Sequence, residues 1–194
     1  MTRAYHRKKQ PELNRRAILD CAARLAVEKG IAAVTVQAVA EAAGVTKGGL
    51  FHHFPSKQAL VEGVFSDLME QWDAELDGLM AKDADPHGRF TRAYVNSVYE
   101  SQVSGIDSPW AALWVSMIAE SGLRELWSKW LEERLERHRE TDDTPVLELV
   151  RLAADGAWFA ILMGQGPMVT GARNVQARLL AMTRSAEKQV NPRL

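Results

Sequence analysis

The chain has 194 residues, 46% of them hydrophobic and 25% charged, which is the composition of an ordinary globular protein long enough to bury a core. Its single cysteine, Cys21, excludes an internal disulfide, and we expect a reduced, cytoplasmic protein. The longest uncharged stretch, residues 156–172, is interrupted by Pro167 and falls short of a bilayer-spanning helix, so we expect no membrane partner.

The formal net charge of −1 conceals a strong asymmetry along the chain. Residues 1–16 carry six lysines and arginines against Glu12 alone, whereas residues 66–85 carry seven acids against Lys82. A polyanion would be attracted to the N-terminal end only, although a solvated tail is the ordinary meaning of such a run. The acidic stretch is expected to be a solvated face.

Apolar residues recur at helical spacing in nearly every segment and strand signals are weak, which predicts an all-α protein. The first helix is predicted over Leu13–Lys29. Thr35 is predicted to cap a short helix through Ala42, and Thr46 to cap another that ends before Pro55. The remaining predicted helices are a long one from Ser56 to about Leu79, followed by Pro86–Val103, Trp110–Ser121, Leu123–Arg139, Pro145–Gly164 and Arg173–Lys188.

The segment VTKGGLFHHFPSKQAL, residues 45–60, places two adjacent glycines in a helix of barely two turns. Gly48 and Gly49 together cost such a helix roughly 2 kcal/mol relative to alanine, so a compensating role is expected. A loop would leave the spacing of Leu50, Phe51 and Phe54 unexplained. A helix places Leu50 and Phe54 on one face, with Phe51 at its edge. The glycines then face outward, where packing gives no reason for them.

A histidine metal site is the second explanation of this segment. His52 and His53 are neighbours on a helix and point about 100 degrees apart, whereas only i, i+3 or i, i+4 pairs converge on one ion. We therefore expect no metal and no cofactor. The sequence also contains no nucleophile elbow, metal constellation or phosphate-cradling loop, so we do not expect an enzyme.

The third explanation is a helix that something large approaches closely. A short helix, a three-residue turn and a second helix form the helix-turn-helix arrangement, whose second helix enters the major groove of duplex DNA. Glycines let the backbone approach the duplex, Lys47 can reach guanine O6 and N7, and the histidines can donate to phosphates. Lys57 adds a cation at the start of the next helix. A three-helix bundle that does not bind DNA is the alternative.

The residues RRAILDCAARLAVEKGIAAVTVQAVAEAAGVTKGGLFHHFPSKQALV closely resemble the DNA-binding domain of the TetR family of transcriptional repressors. The resemblance implies a three-helix DNA-binding domain over residues 1–58, including the basic tail, and a helical ligand-binding and dimerisation domain over residues 59–194. It also implies double-stranded operator DNA, a small-molecule effector and a second copy of the chain as partners.

Carried over by position, the resemblance assigns DNA contacts to ten residues. Thr35 matches a capping residue that touches phosphate, and Gln37 lies at a position often close to bases. Phe51 stands where the family usually has a phosphate-bonding tyrosine, so that contact lacks its hydroxyl. The remaining matches are the groove-facing helix start and the frequent base or backbone contacts: Thr46, Lys47, Gly48, Gly49, His52, His53 and Lys57.

The second half has no comparably specific motif, but it is rich in aromatic residues and methionine, which suit a pocket for a flat apolar ligand. Asp155, a carboxylate in a nearly apolar helix, either balances a cationic ligand or pairs with Arg151 one turn earlier. The candidate ligand-binding residues are Trp110, Trp114, Met117, Trp127, Trp130, Asp155, Trp158, Phe159 and Met163, with filling of the core and dimer interface as the alternative for each.

Together these features predict a homodimeric repressor that binds a palindromic operator and is released by a small hydrophobic or cationic effector. The near-continuous apolarity of residues 150–164 favours burial of the last helices between two subunits. The long helix from Ser56 is predicted to transmit the ligand signal. The alternative is a helical interaction or scaffold protein with a degenerate DNA-binding domain.

Overall fold

The computed structural model describes residues 3–100, 109–163 and 172–184, without the side chains of residues 3–10, 109, 110, 112–114, 161, 162 and 172–174. Every regular element in these ranges is a helix, which confirms the all-α prediction. The helices are α1 (Arg3–Lys29), a 3-10 turn (Ile31–Ala33), α2 (Val36–Ala43), α3 (Lys47–His53), α4 (Lys57–Ala81), α5 (Arg89–Glu100), α6 (Pro109–Ala119), α7 (Ser121–Arg137), α8 (Arg139–Asp142), α9 (Pro145–Leu162) and α10 (Ala172–Met182).

The described chain forms two compact units. Unit 1 comprises Met1–Glu70 and Asp107–Leu126, and unit 2 comprises Gln71–Ile106 and Trp127–Leu194. Helix α4 runs without interruption through the position at which the two units are divided. The domain boundary at residue 58 stays a prediction. No helix among the described residues is both long and apolar enough to cross a bilayer.

Two helices start three or more residues away from their predicted positions. Helix α1 begins at Arg3 rather than Leu13 and contains Pro11, whose fixed φ is compatible with helical backbone although it removes one hydrogen bond. Helix α5 begins at Arg89 rather than Pro86, because Gly88 adopts a left-handed φ of 68° immediately before it. Helix α8 is an additional short helix that the sequence did not predict.

The core of unit 1 is formed where α1 packs against α2, α3 and α6. Its central side chains are apolar residues spaced by one helical turn, as expected for the inward face of an amphipathic helix. They are Ile18, Leu19, Ala22, Leu25 and Ala26 of α1, Val39 and Ala40 of α2, Leu50 and Phe54 at α3, and Leu60, Val64 and Phe65 of α4.

The core of unit 2 is centred on α5, which packs against α9 and α10. It contains Leu76 and Met80 of α4, Phe90, Tyr94, Val95 and Val98 of α5, Val150 and Ala154 of α9, and Leu179 of α10. The first turn of α5 is capped from a distance, because the carboxylate of Asp142 accepts from the Thr91 amide at 2.8 Å and from the Thr91 hydroxyl at 2.7 Å.

The acidic stretch from residue 66 to residue 85 is more than a solvated face. Arg134 is 1% exposed and donates to Asp73 at 2.5 Å and to Asp77 at 2.7 Å. Arg92 is 3% exposed and donates to Asp83 at 2.6 Å. Because a buried guanidinium needs a carboxylate partner, these acids hold α5 and α7 in unit 2, which the expectation of a solvated face did not include.

Candidate nucleic-acid interface

Helix α2 is bounded by local signals at both ends. The Thr35 hydroxyl accepts from the Ala38 amide at 3.1 Å, which satisfies one free N–H of the first turn. Gly44 ends the helix with a left-handed φ of 66°, and the Val45 amide then bonds back to the Ala40 carbonyl at 3.0 Å. The chain therefore turns sharply between α2 and α3.

Helix α3 starts on a second threonine cap and ends on a buried aromatic ring. The Thr46 hydroxyl accepts from the Gly49 amide at 3.0 Å. Leu50 is fully buried and Phe54 is 4% exposed, so these two residues fix the inward face of the helix. Phe51, which was predicted at the edge of this face, is 46% exposed.

The two glycines of α3 have different surroundings. A β-carbon on Gly48 would meet nothing within 4 Å, so this position is open to solvent. A β-carbon on Gly49 would lie 3.2 Å from the hydroxyl of Thr46, so the cap itself favours glycine there. Packing explains part of the preference at Gly49, whereas no contact with the described part of the chain explains Gly48. Gly48 is thus where a close approach from outside is permitted.

The outward side of α3 adjoins a concave surface that also involves α1. Asn14 and Pro11 of α1 line this concavity opposite Thr46, Gly49 and His52. The His52 and His53 rings are 5.6 Å apart at 71° to each other. Among the described residues no group of three or more histidines, cysteines or acids could hold a metal ion.

All ten predicted DNA contacts lie on the surface of unit 1. His53 is half-buried, and Thr35, Gln37, Thr46, Lys47, Gly48, Gly49, Phe51, His52 and Lys57 are exposed. Gln37 donates to Glu41 of its own helix, which fixes its amide near the turn. Lys57 begins α4, whose first turn is capped by the Ser56 hydroxyl at 3.0 Å from the Ala59 amide. Their contacts with DNA stay predictions.

The structure also adds two residues to this surface. Neither Asn14 nor Pro11 was among the candidates: Pro11 precedes the predicted start of the first helix at Leu13, and Asn14 was expected only as part of that helix. A prediction that this helix starts at Arg3 would have required evidence that the helix tolerates Pro11. The charge run of residues 3–9 was the available signal.

A second candidate region, for a small ligand, lies in unit 2. Trp72 stacks on Trp130 at a centroid distance of 4.7 Å and on Trp127 at 5.7 Å, and it lies 5.4 Å from Tyr94. The Trp130 indole donates to Asp73 at 2.8 Å. The structure therefore brings the predicted Trp127 and Trp130 together through Trp72, which the candidate set did not contain.

Asp155 extends this aromatic cluster with a carboxylate. It accepts a hydrogen bond from the Tyr94 hydroxyl, and burial raises the pKa of Asp155 to about 6. The expected pairing with Arg151 is wrong as a hydrogen bond, because Arg151 donates instead to the Thr91 hydroxyl at 2.7 Å and the Asp142 carbonyl at 3.2 Å. Arg151 acts on Asp155 only through its charge, which lowers the pKa.

The other predicted ligand residues are dispersed. Trp158 packs against the core of unit 2, whereas Phe159 on α9 and Met163 immediately after this helix are 54% and 62% exposed. Met117 is buried in unit 1. Trp110 and Trp114 lie on α6, and their side chains are outside the described residues. A role of these residues in ligand binding stays a prediction.

Helices α2 and α3, each capped by a threonine and joined by a tight glycine turn, form a helix-turn-helix motif. Residues 18–64 match the family described as "Bacterial regulatory proteins, tetR family", and residues 88–184 match "Tetracyclin repressor-like, C-terminal domain". The chain belongs to the TetR family of transcriptional regulators.

Individual relatives agree with this assignment. The HTH-type transcriptional repressor KstR2 of Rhodococcus jostii is 27% identical over 163 residues, which are 76% of this chain and 78% of that protein. The HTH-type transcriptional regulator BetI of Burkholderia cenocepacia is 26% identical over 172 residues, which are 83% and 88% of the two chains.

Solved structures show the same fold. A transcriptional regulator from Streptomyces coelicolor A3(2) has a TM-score of 0.72 at 20% identity, with 89% of this chain and 99% of that chain covered. The multidrug binding protein EbrR, complexed with malachite green, has a TM-score of 0.66 at 22% identity, with 85% and 96% covered.

Proposed function

We propose that the protein is a repressor that binds a palindromic operator as a homodimer in the cytoplasm and is released by a small hydrophobic or cationic effector. The observation that carries the proposal is the outward face of α3, where Gly48 is open and Lys47, His52 and Phe51 are exposed. A threonine cap satisfies one amide in the first turn of each of α2 and α3, which stabilises the start of both helices.

The proposed contacts in this interface are of two kinds, contacts with bases and contacts with phosphates. Lys47, at the start of α3, is the candidate for reading a guanine in the major groove, and Gly48 lets the backbone come close. Lys57 and Thr35 stand at helix N-termini, where phosphate is favoured by free amides and the helix dipole. Sequence preference would therefore come from α3, and much of the affinity from its neighbours.

The proposed homodimer rests on an apolar stripe of α9. Leu149, Leu152 and Phe159 are 60%, 59% and 54% exposed, and their spacing places them on one side of the helix. Met163, which follows the last residue of α9, is 62% exposed. A β-carbon on Gly156, in the middle of this stripe, would meet none of the residues that the structure describes within 4 Å. Such a contiguous apolar face needs a cover, and a second copy with the same face supplies it through a two-fold axis.

Two-fold symmetry has a consequence for the operator. Each copy would place one α3 in the major groove, and a dimer reads two half-sites about one helical turn, or a multiple of it, apart. The half-sites would be inverted repeats because the copies are related by a two-fold axis. Any effector that changes the separation of the two α3 helices would reduce the fit to both half-sites at once.

The proposed effector site is the aromatic cluster of Trp72, Trp127 and Trp130, with Asp155 beyond Tyr94. Flat rings offer stacking and cation–π contacts, and a carboxylate complements a positive charge. EbrR, which has the same fold, binds malachite green, and this supports a flat organic cation as the first effector to test. Helix α4 carries both Lys57 and Trp72, so we assign the transmission of the signal to this helix.

Selection of duplexes from a random-sequence pool with purified protein tests the operator half of the proposal. We expect enrichment of an inverted repeat, and an affinity for it that falls steeply with salt concentration. Equal weak binding to all duplexes would contradict the proposal and favour a scaffold protein with a degenerate DNA-binding domain.

Release of the selected duplex by malachite green or ethidium tests the effector half. Asp155→Asn should weaken the response to these cations, whereas Glu148→Gln, an exposed acid on the same helix, should not. An unchanged response in Asp155→Asn would contradict a role of this carboxylate in effector binding.

A further inference from the structure

We infer that the first turns of α1 form a second DNA-contacting surface, which holds the backbone of the duplex beside the half-site that α3 reads. This inference rests on the proposed function and adds a partner surface to it. In unit 1, Asn14 and Pro11 of α1 form one wall of the concavity, and Thr46, Gly49 and His52 form the other. A duplex seated on α3 therefore lies next to the beginning of α1.

Helix α1 continues beyond this concavity. It is helical from Arg3 to Lys29, so eight residues precede Pro11 and extend the helix axis by about 12 Å. Successive phosphates of one DNA strand are about 3.4 Å apart along the duplex axis, so the extension is long enough to follow roughly three of them. The extension carries four cations, Arg3, Arg7, Lys8 and Lys9, and no acid.

The helical register decides which of these cations belong to the wall of the concavity. At about 100 degrees per residue, positions 3, 7 and 10 fall within about 40 degrees of Asn14, whereas position 9 is about 140 degrees away. Glu12, the acid of this region, lies about 160 degrees from Asn14 on the same count. Over residues 3–14, the side of α1 that carries Asn14 thus includes the positions of two arginines and of no acid.

The chemistry of this side selects DNA rather than a lipid surface. Positions 3, 7, 10 and 14 are arginine, arginine, glutamine and asparagine, which are all hydrogen-bond donors. An interfacial membrane helix needs a large apolar face opposite its cations, and positions 3–10 contain no leucine, isoleucine, valine, phenylalanine or tryptophan. Arginine donors without apolar anchors fit a phosphate backbone, which carries no sequence information.

The test compares two variants of equal charge on a duplex selected from a random pool by the wild-type protein. Arg7→Gln removes a cation from the side of Asn14, and Lys9→Gln removes one from the opposite side. We expect Arg7→Gln to weaken binding by roughly 3-fold to 10-fold and to reduce the slope of log affinity against log salt by about 0.9. Lys9→Gln should change either quantity by less than half as much. Shortening the duplex to the end of the half-site should remove the difference.

Each result bears on the inference in a defined way. Equal effects of Arg7→Gln and Lys9→Gln on a duplex that the wild type prefers would overturn it while leaving the proposed function intact. Loss of binding to phosphatidylserine vesicles without loss of duplex binding would also overturn it, in favour of a lipid partner. A wild-type protein that prefers no duplex would overturn the proposed function and this inference together. Circular dichroism of both variants checks that α1 remains helical.

Discussion

The ring of Phe54 lies 2.5 Å from the position that a β-carbon on Gly63 would occupy. Phe54 follows the last residue of α3 and is 4% exposed, while Gly63 belongs to α4, so this contact holds the end of α3 against α4. The guanidinium of Arg15 covers the same ring at 5.5 Å from its centroid. The orientation of α3 thus depends on Gly63 of α4, which has no side chain that would occupy the space of the Phe54 ring.

Alanine substitutions at two glycines of α4 should have opposite effects on stability. Gly63→Ala forces the buried Phe54 ring to move, whereas a β-carbon on Gly78 would meet nothing within 4 Å. Each change adds about 1 kcal/mol of helix propensity, but overpacking costs about 1–3 kcal/mol at Gly63 alone. Urea denaturation should therefore give Gly63→Ala a free energy of unfolding about 1–3 kcal/mol below that of Gly78→Ala. Equal stability of the two variants would contradict the contact.

Alanine at Gly48 should separate folding from DNA binding. The position is open, so Gly48→Ala should stabilise the protein by about 1 kcal/mol. The added methyl group stands where the duplex must approach, and we expect operator affinity to fall roughly tenfold, or about 1.4 kcal/mol. Gly78→Ala is the matched control, with the same gain in stability and unchanged affinity. Unchanged operator binding in Gly48→Ala would place the duplex elsewhere.

Lys47 and Lys57 should differ in what they contribute to DNA binding. Lys47→Ala should weaken operator binding by about 1–3 kcal/mol and relax the preference at one base pair. Lys57→Ala should weaken all duplexes alike and reduce the slope of log affinity against log salt by about one unit. Salt titrations on the selected duplex and on single-base variants distinguish the two. Identical profiles for both variants would contradict the assignment of base reading to α3.

Asp155 should make stability depend on pH. Its pKa is raised to about 6 by burial, so the folded state holds this proton more tightly than the unfolded chain, whose carboxyl has an ordinary value of 3.8. Stability is therefore greatest below the unfolded pKa and falls as pH rises towards 6 and slightly beyond. The loss amounts to at most about 3 kcal/mol, because one pKa unit corresponds to about 1.36 kcal/mol.

Comparison with Asp155→Asn isolates this contribution from other titrating groups. One of them is His138, whose pKa is lowered by burial and which therefore acts in the opposite direction. The free energy of unfolding of Asp155→Asn minus that of the wild type should increase between pH 4 and pH 7, as measured by urea denaturation at each pH. A difference independent of pH would show that Asp155 titrates normally in the folded protein.

A glutamate in the apolar stripe of α9 should break the proposed dimer. Leu152→Glu puts a charge into an interface that would otherwise be apolar, at a cost of several kcal/mol, so the dimer should dissociate at least 100-fold more readily. Ile118→Glu is the control, since Ile118 is 71% exposed on α6. Analytical ultracentrifugation should find Leu152→Glu monomeric at micromolar concentration and Ile118→Glu dimeric. A monomeric wild type would contradict the dimer directly.

Much of the candidate DNA interface could be predicted because its signals are local. Thr35, Thr46 and Ser56 bond to amides three residues along the chain, so the caps follow from short sequence patterns. The same holds for Gly44, which the turn requires in a left-handed conformation. The continuation of α1 to Arg3 was missed because a proline near the N-terminal end of a helix normally marks its start rather than its interior.

The sequence by itself determined the all-helical class and the inward faces of the helices, since both depend on the repeat of apolar residues every three to four positions. Only the tertiary structure decided which distant groups meet. Asp142 caps α5 from 51 residues away, Tyr94 rather than Arg151 bonds to Asp155, and Trp72 joins Trp127 to Trp130. Periodicity states which side of a helix is buried, but the identity of its neighbours depends on how all the helices pack at once.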